Sequence, residues 1–327
     1  MQMTSTPPYA WYDRNAVRRL LTYDVCIPAM RQAMIGHSSG QSRRLLRSFL
    51  AMGPGRTFAQ MPGAVESGGY FGAKLVSVFA DPDASGRRAH RGVVILFDGK
   101  AGAPLACADA EAITHIRTAA ASAAATDALA RPDAATLAVI GAGGQAEAHV
   151  RALLQVRPLT DIVLWSRTPA KAEALAAKLN SQCEVDIRIG VSAEAAAREA
   201  DIICTVTAST EPVLLSEWVS RGAHVNLVGS SGPGPREVDS ALLARSRFFG
   251  DCRDHVFEHG AEFIKAREEG LIGEDHFLAE IGAVFAGERQ GRCDRDDITV
   301  YKSLGHAVQD LAALATMYER DRAGATA

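Results

Sequence analysis

The chain is predicted to be an α/β protein built around a doubly wound parallel sheet, and three observations predict this. From residue 136 onward, short apolar runs of strand length alternate with helical patterns, the signature of βαβ units. The stretch LAVIGAGGQAEAHVRALL (137–154) passes from an apolar run through a glycine cluster straight into a helix. The residues before 110 instead mix helix with hairpin-forming strands, which marks a second unit.

Taken in order, residues 15–35 repeat apolar side chains at helical spacing, and Pro28 is expected to mark a helix start. RRLLRSFLAM (43–52) and YFGAKLVSVFA (70–80) are rich in β-formers and separated by Gly/Pro turns. GVVILFDGKAGAPLACAD (92–109) reads as a hairpin closed by DGKAG. Residues 110–130 are alanine-rich and helical, ending at Arg131-Pro132-Asp133, where Pro132 disfavours continuation. Strands are then expected at 136–140, 161–165, 185–190, 201–206 and 223–229, with helices at 144–156, 169–180 and 192–199. ARSRFFGD (244–251) offers a further strand, and residues 303–322 one long amphipathic helix.

Length and composition bound the function. At 327 residues the chain has room for about two domains. A net charge of −3 gives no electrostatic footprint for nucleic acid. No apolar run reaches the ~18 residues of a membrane span, and the first twenty residues lack the apolar core of a secretory signal. Six scattered cysteines without a C-x-x-C pair fit free thiols in a reducing, cytoplasmic setting.

The glycine loop carries the first functional argument. Gly141, Ala142, Gly143, Gln145 and Ala146 follow an apolar strand and open a helix, where free N–H groups and a positive dipole end favour a pyrophosphate. Gly141 permits the tight turn, Gly143 lets a phosphate approach the backbone, and Ala146 is small enough for helix to meet strand. The next strand ends in Ser166, Arg167 and Thr168, at the spacing of the ribose-reading position. An acid there would bind a 2′-hydroxyl, whereas Arg167 can pair with a 2′-phosphate. The expected cofactor is therefore NADPH, with NADH weaker.

Several segments together resemble the ornithine cyclodeaminase/μ-crystallin family: RTAAASAAATDALA, VIGAGGQAEAH, LWSRTPAKAEALA, ADIICTVTASTEPVL, GAHVNLVGSSGPGPREVD and VYKSLGHAVQDLAA, spread over 117–313. The resemblance implies a Rossmann domain (121–303) inserted into an α+β substrate-binding and dimerisation domain made of 1–120 and 304–327. It implies a homodimer, and it adds Thr205, Val206, Thr207, Val228, Gly229, Lys302 and Ser303 to the cofactor-binding positions.

Three cations sit in otherwise apolar segments: Arg47 in LLRSFLAM, Lys74 in FGAKLVSVF and Arg117 in ITHIRTAAAS. Cations are seldom placed so unless an anion meets them. The resemblance assigns them to a substrate carboxylate, which bidentate arginine pairing fixes and polarises. In VGSSGPGPREVD, Ser231 stands where the cyclodeaminases of the family carry an Asp, and a serine cannot act as a carboxylate base. Serine there resembles the ketimine reductases. The expected reaction is NADPH-dependent reduction of a cyclic imino acid: Δ1-pyrroline-2-carboxylate to L-proline, or Δ1-piperideine-2-carboxylate to L-pipecolate. Lys74, or a water held by Ser231, is the expected proton donor, with His90 a further candidate. Three alternatives stay open at this point. The chain would be a cyclodeaminase whose base has moved, another amino acid dehydrogenase of the family, or a non-catalytic NADPH-dependent ligand binder.

HVFEH (255–259) matches an inverted zinc-peptidase pattern but lacks an evident third ligand, so it is expected to be an exposed helix without metal. Trp165 is expected to pack rather than stack on adenine.

Overall fold

The computed structural model describes residues 9–65, 69–80, 88–232 and 234–325. The chain divides into two units, Met1–Arg117 with His306–Ala327, and Thr118–Gly305.

The first unit opens with β1 (Ala10–Tyr12), α1 (Arg14–Leu20) and α2 (Tyr23–Ser38). Pro28 does not start a helix. It lies inside α2, six residues beyond the N-cap Thr22 and past the first turn, where its missing N–H forgoes one intrahelical bond that the rest of the helix outweighs. The strands β2 (Ser42–Arg44), β3 (Ser48–Ala51), β4 (Arg56–Val65), β5 (Tyr70–Ala80), β6 (Arg88–Asp98) and β7 (Pro104–Asp109) follow. They form one sheet in the order β1-β7-β6-β5-β4-β2, with β3 also on β4. The hairpin expected at 92–109 is β6–β7.

The sequence pattern did not reveal β4, because Pro62 and Gly63 look like loop residues. The register explains both. On its outer flank β4 pairs β3 up to Gln60 and β2 from Gly63, so Pro62 falls in the gap between partners, where a missing N–H costs no ladder bond. Residues 45–47 bridge β2 and β3, which places Arg47 at this junction.

The helix α3 (Ala110–Leu129) is capped by Asp109, whose carboxylate accepts from the Ala112 N–H at 2.7 Å. It begins in the first unit and ends in the second.

The second unit continues with β8 (Thr136–Ile140), α4 (Gly144–Leu153), β9 (Asp161–Trp165), α5 (Pro169–Asn180), β10 (Ile187–Ile189), α6 (Ala193–Arg198), β11 (Ile202–Thr205) and β12 (His224–Leu227). Then come α7 (Ser240–Ala244), β13 (Ser246–Gly250), α8 (Arg253–His259), α9 (Ala261–Glu268), β14 (Phe277–Glu280), α10 (Ile281–Phe285) and β15 (Ile298–Lys302). The eight strands pair in parallel in the order β10-β9-β8-β11-β12-β15-β13-β14. Strand order reverses between β8 and β11, so this is the doubly wound Rossmann sheet that the sequence predicts. Its core runs through Ile140, Ile203, Val225, Leu227, Phe248 and Val300, and Trp165 packs against it. The helix α8 is not exposed throughout, since His255 and Val256 are buried. Inserting β15 between β12 and β13 makes it a fully buried strand, which the five residues ITVYK alone do not announce.

The chain returns to the first unit in α11 (Ala307–Ala325), which starts four residues later than the sequence pattern suggests. It lies close to glycines of β4 and β5. A Cβ on Gly63 would come 3.2 Å from Ala307, and one on Gly72 would come 3.0 Å from Leu311 and 1.9 Å from the Ile95 carbonyl. Small residues on the sheet therefore admit the helix that carries the acid of the site.

Candidate active site

In the first unit, Lys74 on β5 and Arg117 on α3 converge on one acid of α11. The Lys74 ammonium is 3.1 Å, and the Arg117 Nε 3.0 Å, from the same oxygen of Asp310, Oδ1. All three side chains are buried, Asp310 completely and the cations to 7% and 5% exposure. Lys74 also donates to the Thr114 hydroxyl at 2.5 Å, and Arg117 Nη1 donates to the Gln309 side-chain oxygen at 2.7 Å. Two cations share one anion, so a surplus positive charge remains in a place shielded from water. Donors remain too: among the described residues, one ammonium hydrogen of Lys74 and the Nη2 group of Arg117 meet no acceptor.

The titration of these groups follows from the geometry. Burial lowers Lys74, Asp310 raises it, and the Arg117 and Arg47 charges lower it again, bringing it from 10.5 to about 8. Burial would raise Asp310, but the charges of Arg117 and Lys74 outweigh it and hold the carboxyl below its ordinary range. Arg47 thus acts on Lys74 through its charge, from the half-buried junction of β2 and β3. The His90 side chain lies outside the described residues.

Asp310 and Gln309 were missed by sequence reasoning. The signal was present: a lone acid in the apolar run HAVQDLAALA is the counterpart of lone cations in apolar strands.

In the second unit, parallel pairing sets the remaining candidates along one edge, at the carboxyl ends of β8, β9, β11, β12 and β15. There Gly141 N–H donates to the Trp165 carbonyl at 2.8 Å, Val206 N–H to Ile140 at 3.0 Å, Val228 N–H to Thr205 at 3.0 Å and Ser303 N–H to Leu227 at 2.9 Å. This is the edge where doubly wound sheets bind ligands.

The glycine loop fits a dinucleotide. Gly141 has φ +130°, and a Cβ on it would lie 2.8 Å from the Val206 carbonyl, so only glycine serves. Gly143 is the N-cap of α4 and provides no side-chain cap; a Cβ there would meet nothing within 4 Å. Open space at Gly143 and the helix N-terminus that begins there are what a pyrophosphate needs. Ala142 and Gln145 are half-buried, and Ala146 is buried at the strand–helix contact. At the end of β9, Ser166 is half-buried and accepts from Thr168 N–H at 3.3 Å, while Arg167 and Thr168 are exposed. No described residue pairs with Arg167.

Two of the expected cofactor residues point inward. The Thr205 hydroxyl is buried and donates to Glu237 at 2.8 Å. The Lys302 ammonium, also fully buried, lies 2.9 Å from Glu262 and donates to the Ser230 carbonyl at 2.7 Å and its hydroxyl at 2.9 Å. Their side chains therefore shape the edge from beneath. Val206, Thr207 and Gly229 reach the surface, Val228 and Ser303 are buried, and Ser231 is exposed on the loop after β12. Glu237 and Glu262 carried no motif that singled them out.

Comparison with known proteins agrees with this architecture. Residues 11–325 match the model of the ornithine cyclodeaminase/mu-crystallin family. Mouse ketimine reductase mu-crystallin is 34% identical over 304 residues, 92% of this chain and 93% of that protein. A Bacillus cereus Δ1-pyrroline-2-carboxylate reductase is 35% identical over 261 residues, 80% of each chain. Thermococcus litoralis Δ1-pyrroline-2-carboxylate reductase, solved in complex with NADH and L-proline, superposes with a TM-score of 0.92 at 29% identity. That match covers 97% of this chain and 98% of that one. The chain belongs to the ornithine cyclodeaminase/mu-crystallin family.

Asp310→Asn is expected to destabilise the protein by about 3–5 kcal/mol in urea unfolding at neutral pH, because two buried cations lose their anion. A loss below about 1 kcal/mol, the size of an exposed pair, would show that the cations find solvent instead.

Proposed function

We propose that the protein is an oxidoreductase acting on CH–NH groups that reduces small cyclic imino acids with NADPH. Its products are L-proline from Δ1-pyrroline-2-carboxylate and L-pipecolate from Δ1-piperideine-2-carboxylate. The observation that carries this reading is the surplus positive charge of Lys74 and Arg117 over Asp310. A substrate carboxylate would neutralise it by pairing with the Nη2 group of Arg117, aided by the charges of Lys74 and Arg47. The named relatives, which are ketimine and Δ1-pyrroline-2-carboxylate reductases, support the substrate class.

The dinucleotide would supply the hydride to the imine carbon, held by the glycine loop 141–146 and the edge residues Val206, Thr207 and Gly229. Lys74, lowered to about 8, is charged at neutral pH yet releases its proton more readily than an exposed lysine. It delivers that proton to the imine nitrogen, so hydride and proton together turn C=N into CH–NH. On the loop after β12, Ser231 offers a hydroxyl, which donates and accepts hydrogen bonds, in place of an acid. No carboxylate is required there, because the substrate arrives with its C=N bond already formed.

NADPH is preferred over NADH because Arg167 is exposed, unpaired among the described residues and unaccompanied by an acid at the end of β9. A reducing, cytoplasmic location fits the six free cysteines. The protein acts as a homodimer. The β2–β3 segment exposes Leu45, Leu46, Phe49, Leu50 and Met52, a run of apolar side chains that a second copy would cover.

With Δ1-pyrroline-2-carboxylate the protein should oxidise NADPH and yield proline. The rate should fall above about pH 8 as Lys74 loses its proton, since the donor form exists only below that value. No NADPH consumption with either ring size, or formation of proline and ammonia from ornithine, would overturn the reading. Arg167→Asp should weaken NADPH by about tenfold or more while leaving NADH nearly unchanged; equal losses would show that Arg167 does not read the phosphate. Leu50→Asp should shift the protein from dimer to monomer in sedimentation, and an unaltered dimer would move the interface elsewhere.

A further inference from the structure

The carboxyl edge of the second unit is held from beneath by a buried carboxylate. Glu237 lies beyond β12, and its side chain is completely buried. One oxygen, Oε1, accepts the Thr207 N–H at 2.6 Å and the Thr207 hydroxyl at 2.8 Å. The other, Oε2, accepts the Thr205 hydroxyl at 2.8 Å and the Gly229 N–H at 2.7 Å. One carboxylate thus receives four donors and binds the loop after β11 to the loop after β12.

The fit leaves no slack. A Cβ on Gly229 would lie 2.1 Å from the Thr207 carbonyl and 2.4 Å from Glu237 Oε1. Glycine is needed because the two loops are drawn into contact by the acid between them. The Glu237 backbone is fastened independently of its side chain. Its carbonyl accepts from Val213 and Leu214 at 2.8 and 3.0 Å, and its N–H donates to Glu262 Oε1 at 3.1 Å. Burial pushes the Glu237 carboxyl up, and the Lys302 charge opposes that push. Lys302, paired with Glu262, also grips Ser230, the residue before Ser231.

We propose that Glu237 is a positioning residue that sets the spacing of Thr207 and Gly229 for the dinucleotide. The inference rests on the reading that this edge binds NADPH. It gives Glu237 no contact with cofactor or substrate, because both of its oxygens are engaged by protein donors in the core.

The test is Glu237→Gln, assayed by fluorescence titration with NADPH, by circular dichroism and by steady-state kinetics. Glutamine keeps the shape, but its NH₂ must face either the Thr207 N–H, which then loses its acceptor, or the Gly229 N–H, which then keeps only the Thr205 carbonyl at 3.2 Å. The Kd and KM for NADPH should rise about tenfold. At saturating nucleotide kcat should stay within about threefold of wild type, since no group that meets the substrate has changed. Thr205→Val, which keeps side-chain volume and removes one donor to Oε2, should fold in any case and raise Kd by about threefold. Unchanged NADPH affinity in a folded Glu237→Gln protein would overturn the proposal, as would equal loss in kcat and affinity. If Glu237→Gln does not fold, unchanged affinity in Thr205→Val overturns it. Failure of the wild type to bind NADPH would instead remove the reading of the edge itself, and the inference with it.

Discussion

Two cations closing on a single carboxylate oxygen organise the first unit. Lys74 comes from a central strand, Arg117 from the helix after the hairpin, and Asp310 from the last helix of the chain, so one ionic contact joins three distant stretches of sequence. None of the three would be stable alone in that setting, because an ion stripped of water without a partner costs several kcal/mol. Because the anion is outnumbered, the cluster satisfies the fold and still retains a demand for negative charge. The same imbalance that holds α11 in place therefore defines what kind of ligand would complete it.

Shared charge also sets the protonation chemistry. Burial and the neighbouring arginines draw Lys74 down towards neutrality, while Asp310 limits the fall. An ordinary lysine gives up its proton reluctantly at neutral pH, whereas one near 8 is poised to transfer it. The acid needed for packing is in this way also the group that keeps the lysine charged. Packing and proton affinity come from one arrangement rather than from separate devices.

The second unit solves a different problem by the same means. A parallel sheet delivers five strand ends to one edge, but the loops leaving them have no reason of their own to stay at a fixed spacing. Buried polar groups supply the spacing: Glu237 beneath Thr207 and Gly229, and the Lys302–Glu262 pair beneath Ser230. The side chains that meet solvent are small and mostly uncharged. The charges are underneath, where low dielectric makes their hydrogen bonds firm and where a lost partner is costly.

The order of strands and helices from 136 to 229, the hairpin at 92–109, and the glycine loop were legible because each follows from local periodicity and from residues with restricted backbone choices. Lys74 and Arg117 were legible as cations in apolar surroundings. Other features depend on neighbours that are distant in sequence. Pro62 sits in a strand only because β2 and β3 leave a gap beside it, and β15 is a central strand only because β12 and β13 flank it. Asp310, Glu237 and Glu262 carry no local mark of their roles, since the meaning of a buried acid lies in the donors that fold onto it. Periodicity and residue chemistry thus determined which elements form and which charges need partners. Tertiary structure alone decided which partner each charge received, because burial, and the electrostatic strength that comes with it, arises only when remote segments exclude water together.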